Sequence, residues 1–448
     1  MHLRTVAIII LAILSLGLYL LLSLSQSTQP EIGRLLVVSM ALAGLYLLML
    51  PLTKGLSLFG SDRQVLIGLA VIAVGIRLLI LITAGEGAYL SNNVYRHVWE
   101  GGLVAHGYNP YAVIPESFDR SGMAEGELFV GMNAAATEGA APPLAQLLFA
   151  VAYISHSDSV FGFKLLSFFF ELLTIIGLVM LLAPTVRRRP YESWAILIWV
   201  FSPLVIVEFL LSNHVDIFAI PFLVFAVVWV RRGDAVLSGV LLALAALLKT
   251  FALLLVPVLL LHFAGRQRWR FAAGLTATLI VFYLPFLPGA GWNALQSAVF
   301  IPQSEPFAGL VYMLAKWIAG PTAALWTCLV LLTVVIVATS TVLKQRLPHI
   351  EQRLFVVIGA MMILAPALSP WYLVWVLPFV VLYRETAFLL LSVTALLSYH
   401  SLISYYESGE FHREWTMVAM QYMPFFVLIA WKLVRSRLTR PSLAPDKT

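Results

Sequence analysis

Residues 193–230 read SWAILIWVFSPLVIVEFLLSNHVDIFAIPFLVFAVVWV, and Arg231-Arg232 follow directly. Two apolar runs, 193–211 and 216–230, flank the polar turn Ser212-Asn213-His214-Val215-Asp216. About 17–25 apolar residues in a helix cross a bilayer core of about 30 Å. Inside lipid every backbone N–H and C=O must be satisfied within the segment, so such runs are helices. The stretch therefore predicts a pair of membrane helices, with an ionisable turn at one end and a basic pair at the other.

The same pattern fills the chain. Runs of spanning length lie at 5–24, 34–52, 65–84, 160–182, 193–211, 271–288, 322–343, 386–404 and 415–434. Shorter ones lie at 142–155, 216–230, 236–247, 251–264, 353–367 and 371–383. Of the 448 residues 61% are hydrophobic and 11% charged, with a mean hydropathy of +0.94. A soluble domain is about 45–50% apolar and about 25% charged. The composition excludes a soluble globule and predicts an all-α polytopic membrane protein of 13 or 14 transmembrane helices. Met-His-Leu-Arg and the apolar run after it look like a signal peptide without a small-residue cleavage site, hence a retained first helix. The single cysteine, Cys328, excludes a disulfide framework and a CxxC metal site.

Orientation follows from Lys/Arg placement. Arg187 to Arg189, Arg231-Arg232, Arg266 to Arg270, Lys344 to Arg346 and Lys432 to Arg440 are the basic clusters. Cytoplasmic loops carry the excess of Lys and Arg, so the net charge of +6 reads as loop bias, not as nucleic-acid binding. Both termini then lie inside. Lys249 falls at the outer turn between two short helices. The stretch 142–182 holds two apolar runs but crosses once, so 142–155 is expected to be tilted or re-entrant from Pro142-Pro143. The chain divides into three N-terminal helices (1–84), an extracytoplasmic loop with an interfacial helix (85–141), a bundle (142–434) and a cytoplasmic tail (435–448). That loop carries seven acidic and two basic residues, and a long structured loop is where function concentrates.

Candidate residues gather at the outer ends. In the loop, Tyr95, Arg96, Trp99 and Glu100 decorate an amphipathic helix whose apolar positions are Val94, Val98, Leu103 and Val104. Gly107-Tyr108-Asn109-Pro110-Tyr111 then turns the chain. Such a helix serves equally as a surface anchor, although Arg96, Glu100 and the pair Asn92-Asn93 exceed what an anchor needs. His214 and Asp216, ionisable at the membrane boundary, suit acid–base work or substrate orientation. A capping Asp beside a solvated His is the plainer alternative. Lys249, between apolar runs, calls for an anion such as a lipid phosphate, or else snorkels to the interface. Trp371 and Tyr372 fit an aromatic belt or stacking on a sugar. Glu171 and Glu208, inside apolar segments, each require an internal partner or a neutral form. No Gly-rich phosphate loop and no HExxH occurs, which counts against an ATP-driven pump and a nucleotide-sugar domain.

Ser91-Asn-Asn-Val-Tyr-Arg-His-Val-Trp-Glu-Gly101 with Gly107-Tyr-Asn-Pro-Tyr111 resembles the first outer loop of GT-C-fold glycosyltransferases, in the bacterial polyprenyl-phosphate-mannose-dependent mannosyltransferase branch. Ala141-Pro-Pro-Leu-Ala-Gln-Leu147, Ser202 to Phe209 with Asn213-His-Val-Asp216, Leu247-Leu-Lys-Thr-Phe251 and Pro370-Trp-Tyr-Leu373 agree in order. The resemblance implies inverting transfer of a hexose, most simply mannose, from a polyprenyl-phosphate donor to a lipid or glycan acceptor, outside the cytoplasm at a bacterial inner membrane. It implies a loop carboxylate as general base and Lys249 on the donor phosphate, with Arg96 a second phosphate contact and His214 a polar contact to sugar or acceptor. Tyr95, Asn109, Tyr111, Trp371 and Tyr372 complete the expected binding residues. The family carries Asp at one or both positions filled here by Asn92 and Asn93. Asn93 occupies the base position, and an amide cannot act as a base. Glu86, Glu100 and Asp216 are the carboxylates available to replace it. A second departure is three helices ahead of the large loop where the family core begins with one. No metal-ligand motif is present, and a divalent-metal requirement stays open. A transporter or flippase of lipid-linked sugars lacks the expected repeats. A catalytically degenerate lipid-sugar-binding subunit is the other alternative.

Overall fold

The computed structural model describes residues 2–24, 32–85, 90–118, 141–157, 159–297, 307, 309–412 and 414–438. It is helical throughout, 82% helix, with nine helices long and apolar enough to cross a membrane among the described residues. Each coincides with one of the nine long apolar runs. In chain order the helices are α1 (His2–Ser23), α2 (Ile32–Thr53), α3 (Arg63–Thr83), α4 (Asn93–Ala105), α5 (Pro143–Ser155), α6 (Phe161–Arg188) and α7 (Pro190–Leu211). Then come α8 (Ile220–Arg231), α9 (Ala235–Ala246), α10 (Thr250–Leu260), α11 (Gly265–Tyr283), α12 (Leu310–Ala319) and α13 (Pro321–Ser340). Finally α14 (Ile350–Leu364), a 3-10 turn Pro370–Trp375, α15 (Leu377–Tyr383), α16 (Thr386–Ser408) and α17 (Trp415–Leu438) close the bundle.

Contacts between elements sort the helix ends into two sets. At one end Arg231 pairs with Glu351, Lys344 Nζ donates to the Leu261 carbonyl (2.9 Å), Arg353 meets His262, and Arg384 pairs with Glu192 (2.7 Å). At the other, Ser23 meets Thr83 (2.6 Å), the Ala145 N–H donates to the Leu247 carbonyl (3.2 Å), and Asn109 Nδ2 donates to the Phe286 carbonyl (2.8 Å). The basic clusters occupy the first end. The helices α8, α9, α10 and α14, of 11 to 15 residues, are shorter than the nine spanning ones.

The centre of the bundle is α7. Its apolar stretch is 89% buried, against 22% for that of the last helix, so α7 is a core helix and α17 an outer one. Charge inside this core is paired. Arg77 on α3 clasps Glu171 on α6, with Nε–Oε2 at 2.9 Å, and also donates to the carbonyls of Ala73 and Val200 (2.9 Å each). In lipid an unpaired charge at such depth is strongly unfavourable, so this pair welds the N-terminal three helices to the rest. It is also the internal partner that the sequence demanded of Glu171.

α5 has 13 residues, about 20 Å of helix, and does not span. It packs along α4, the loop helix. Gly101 explains the closeness: a Cβ there would run into the Phe149 carbonyl of α5. Further along the loop, Tyr111 donates to the Ala141 carbonyl (2.6 Å) and sets its ring edge-on against Phe286 at 5.4 Å. Asn109 and Tyr111 thus tie the loop to the far end of α11. Their side chains form this joint. The amphipathic helix α12 was not among the sequence-derived apolar runs.

Candidate active site

Four segments meet at the end of the bundle opposite the basic clusters. The first is the end of α7. There the chain widens into a π-helix over Ile206–Leu211, and Asn213 adopts φ 59°. π-turns and left-handed non-glycine residues are costly and concentrate at functional sites. Their effect is to fold the chain back so that the His214 N–H donates to the Glu208 carbonyl at 3.0 Å. The next turn, Val215–Phe218, presents Asp216.

Asp216 is the hub. Its Oδ2 lies 3.4 Å from Lys249 Nζ, and its Oδ1 accepts from Trp375 Nε1 at 3.2 Å. Lys249, in the turn before α10, also sits over the Tyr372 ring at 5.0 Å, a cation–π arrangement. Burial works against its charge, but the Asp216 carboxylate and Tyr372 outweigh burial, so its pKa stands above the ordinary amine value. Lys249 is a cation with its side chain 24% exposed, able to take an anionic ligand. Trp371 lies flat on the His214 ring, centroids 3.8 Å apart and planes at 15°. The turn Pro370–Trp375 thus supplies one aromatic to the histidine, one to the lysine and one to the aspartate.

The fourth segment is α4. The His97 ring stacks on Phe149 at 4.4 Å. Burial pushes its pKa down to about 3, helped by the charges of Lys249, His214 and Arg96. His97 is therefore neutral at physiological pH and close to the Lys249–His214 cluster. Sequence reading passed over it. A histidine on one face of an amphipathic helix carries no local signal, and the Gly101 contact that carries it inward is tertiary.

The other expected residues divide. Lys249, His214, Asp216, Trp371 and Tyr372 share one cluster. Arg96 and Glu100 turn instead into the α4–α5 seam. There Arg96 Nε bonds Glu100 Oε1 at 2.7 Å and Gln146 Nε2 donates to Glu100 Oε2 at 2.8 Å. Glu100 is 2% exposed, so both its oxygens are committed. Tyr95 is half-buried against Trp99 and Leu103. Asn92 and Asn93 stand exposed at the start of α4, where the Asn93 N–H donates to Ser91 Oγ at 3.3 Å. Glu86 falls outside the described residues. Among the described residues no group of three or more His, Cys, Asp or Glu is arranged to hold a metal ion.

Residues 23–265 match the family model described as alpha-(1->6)-mannopyranosyltransferase, N-terminal domain. No curated protein matches the chain. The matched region holds α4, the π-turn, the Asp216 hub and Lys249, and covers more than half of the sequence. The chain is a multi-pass membrane protein that belongs to the alpha-(1->6)-mannopyranosyltransferase family, whose members are GT-C-type mannosyltransferases.

Proposed function

We propose that the protein transfers mannose from a polyprenyl-phosphate donor to a lipid or glycan acceptor, by inversion, at the extracytoplasmic face. The single observation that carries this is Lys249. A charged amine lies partly exposed at the head of a bundle, its counter-ion Asp216 at the long distance of 3.4 Å, which leaves it able to take a second anion. A prenyl phosphate delivers that anion at headgroup level with its chain in the bilayer. The positive-inside rule supports that face: among the described residues the basic clusters lie at the helix ends opposite Lys249. Tyr372, partly exposed beside Lys249, offers an aromatic surface on which the sugar can pack.

In this mechanism Lys249 holds the donor phosphate and stabilises the charge that grows on it as the C1–O bond breaks. Asp216 keeps the lysine ionised and aimed. Arg96 and Glu100, clasped to each other and to Gln146, hold α4 against α5 and so position the loop over the site. The test is turnover in lipid nanodiscs with polyprenyl-phosphate-mannose and a mannosylated lipid acceptor. Release of polyprenyl phosphate in step with acceptor mannosylation is the expected result. Tight donor binding with no release favours a degenerate binding subunit, and transfer from GDP-mannose without the lipid donor refutes the donor assignment.

A further inference from the structure

The resemblance places a base at Asn93, and an amide cannot take a proton, so the acceptor's proton needs another destination. Among the described residues, Asp216 is committed to Lys249 and Trp375, and Glu100 lies in the α4–α5 seam, bound to Arg96 and Gln146. Of the histidines near Lys249, one has a carboxylate behind it. His214 Nδ1 lies 3.1 Å from Glu208 Oε2 and 3.2 Å from the Glu208 carbonyl oxygen. Both of these groups only accept hydrogen bonds. Nδ1 therefore carries the proton, and Nε2 is left with its lone pair. Nε2 has no hydrogen-bond partner among the described residues.

Glu208 is fully buried, and its Oε2 also accepts from Tyr399 at 2.8 Å. Carboxylate, Nδ1–H and unengaged Nε2 make the arrangement by which a buried acid fixes an imidazole tautomer and stabilises the imidazolium that forms. The π-turn and the left-handed Asn213 make it possible. They bring residues six apart in sequence into ring-to-carboxylate contact, which a regular α-helix would not do. Trp371, stacked on the ring, fixes its plane, and Nε2 is enclosed, so neighbouring side chains shift to admit an incoming hydroxyl. His97 has an enclosed, unpartnered Nδ1 as well, but no carboxylate supports it, and its low proton affinity makes it the weaker base.

We propose that His214 Nε2 is the general base of the transfer, with Glu208 as its positioning residue. This assignment rests on the lipid-phosphate donor reading above. The acceptor O–H proton passes to Nε2 as its oxygen bonds to C1. The C1–O bond to phosphate breaks, with its electron pair leaving on the polyprenyl phosphate. The imidazolium then returns its proton to water.

The experiment compares wild type with His214→Ala, His214→Gln and Glu208→Gln, measuring turnover against pH and donor affinity separately. His214→Ala and His214→Gln should lose about 10²–10⁴-fold in kcat while donor Kd moves less than about threefold, a range set by keeping Lys249 and Asp216 intact. Added imidazole should restore part of the His214→Ala activity. Glu208→Gln removes the charge that favours the imidazolium, so the acidic limb of kcat should move to lower pH. His214→Gln keeps a flat polar group on Trp371 and guards against simple misfolding. Retention of the wild-type acidic limb in His214→Gln, or kcat within tenfold of wild type, overturns the assignment. So does equal loss of donor binding. A wild-type protein that releases no polyprenyl phosphate overturns the donor reading and this assignment with it, a result separable from active wild type with unaffected His214 variants.

Discussion

Replacing Lys249 with alanine probes the donor site most simply. A hydrogen bond between ionised partners contributes about 1.5–3 kcal/mol, and about 1.4 kcal/mol is tenfold in affinity. Loss of the ammonium should therefore weaken donor binding roughly 10- to 150-fold. The structure adds a second effect. Asp216 is 2% exposed, and its side-chain partners among the described residues are Lys249 and Trp375, so Lys249→Ala leaves a buried carboxylate facing the donor's phosphate. Like charges at such range repel, which pushes the loss toward the upper figure. Lys249→Ala combined with Asp216→Asn removes that repulsion and should bind better than Lys249→Ala alone. Asn93→Ala, at an exposed position, should stay within about threefold of wild type. The assay is equilibrium binding of labelled polyprenyl-phosphate-mannose to protein in nanodiscs at fixed ionic strength. An Asn93→Ala loss equal to or larger than that of Lys249→Ala refutes the reasoning, as does a double variant weaker than the single.

Other expectations follow from the packing. Arg77→Ala should destabilise the bundle by about 3–5 kcal/mol because Glu171 is left charged and buried; Arg77→Met with Glu171→Leu should cost less than either single change, read by unfolding in detergent. Gly101→Val drives a branched side chain into the Phe149 carbonyl and should reduce both stability, by about 1–3 kcal/mol, and activity, since α4 can no longer seat against α5. His97 resists protonation when folded, with a pKa of about 3 against 6.5 when free. Between those values the unfolded chain takes up a proton that the folded one does not, so stability falls as pH drops from about 6.5 toward 3. His97→Gln should flatten that fall, measured as Tm against pH.

Much of the fold was legible because hydropathy is a local property. Each of the nine long helices has its own apolar run, and the polar turns 212–216 and 248–250 announce themselves against that background. The need of Glu171 and Glu208 for internal partners was equally readable, since charge in lipid must be answered. Which groups answer was not. Arg77 is 94 residues from Glu171, and Tyr399 is 191 from Glu208. Glu100 and Arg96 read as site residues because they are polar on a loop helix; the direction in which α4 turns them is set by its seam with α5. His97 reached the site by the same seam. Helix α12 escaped notice because its ten residues are too few to span and mix polar with apolar positions.

The most direct test is a structure with a non-transferable donor bound, a polyprenyl phosphonate mannose. The phosphonate is expected within about 3 Å of Lys249 Nζ, with the anomeric carbon beside His214 and Trp371 and the prenyl chain leaving into the bilayer. A headgroup seated at the basic end of the bundle, or bound without contact to Lys249, would contradict the account.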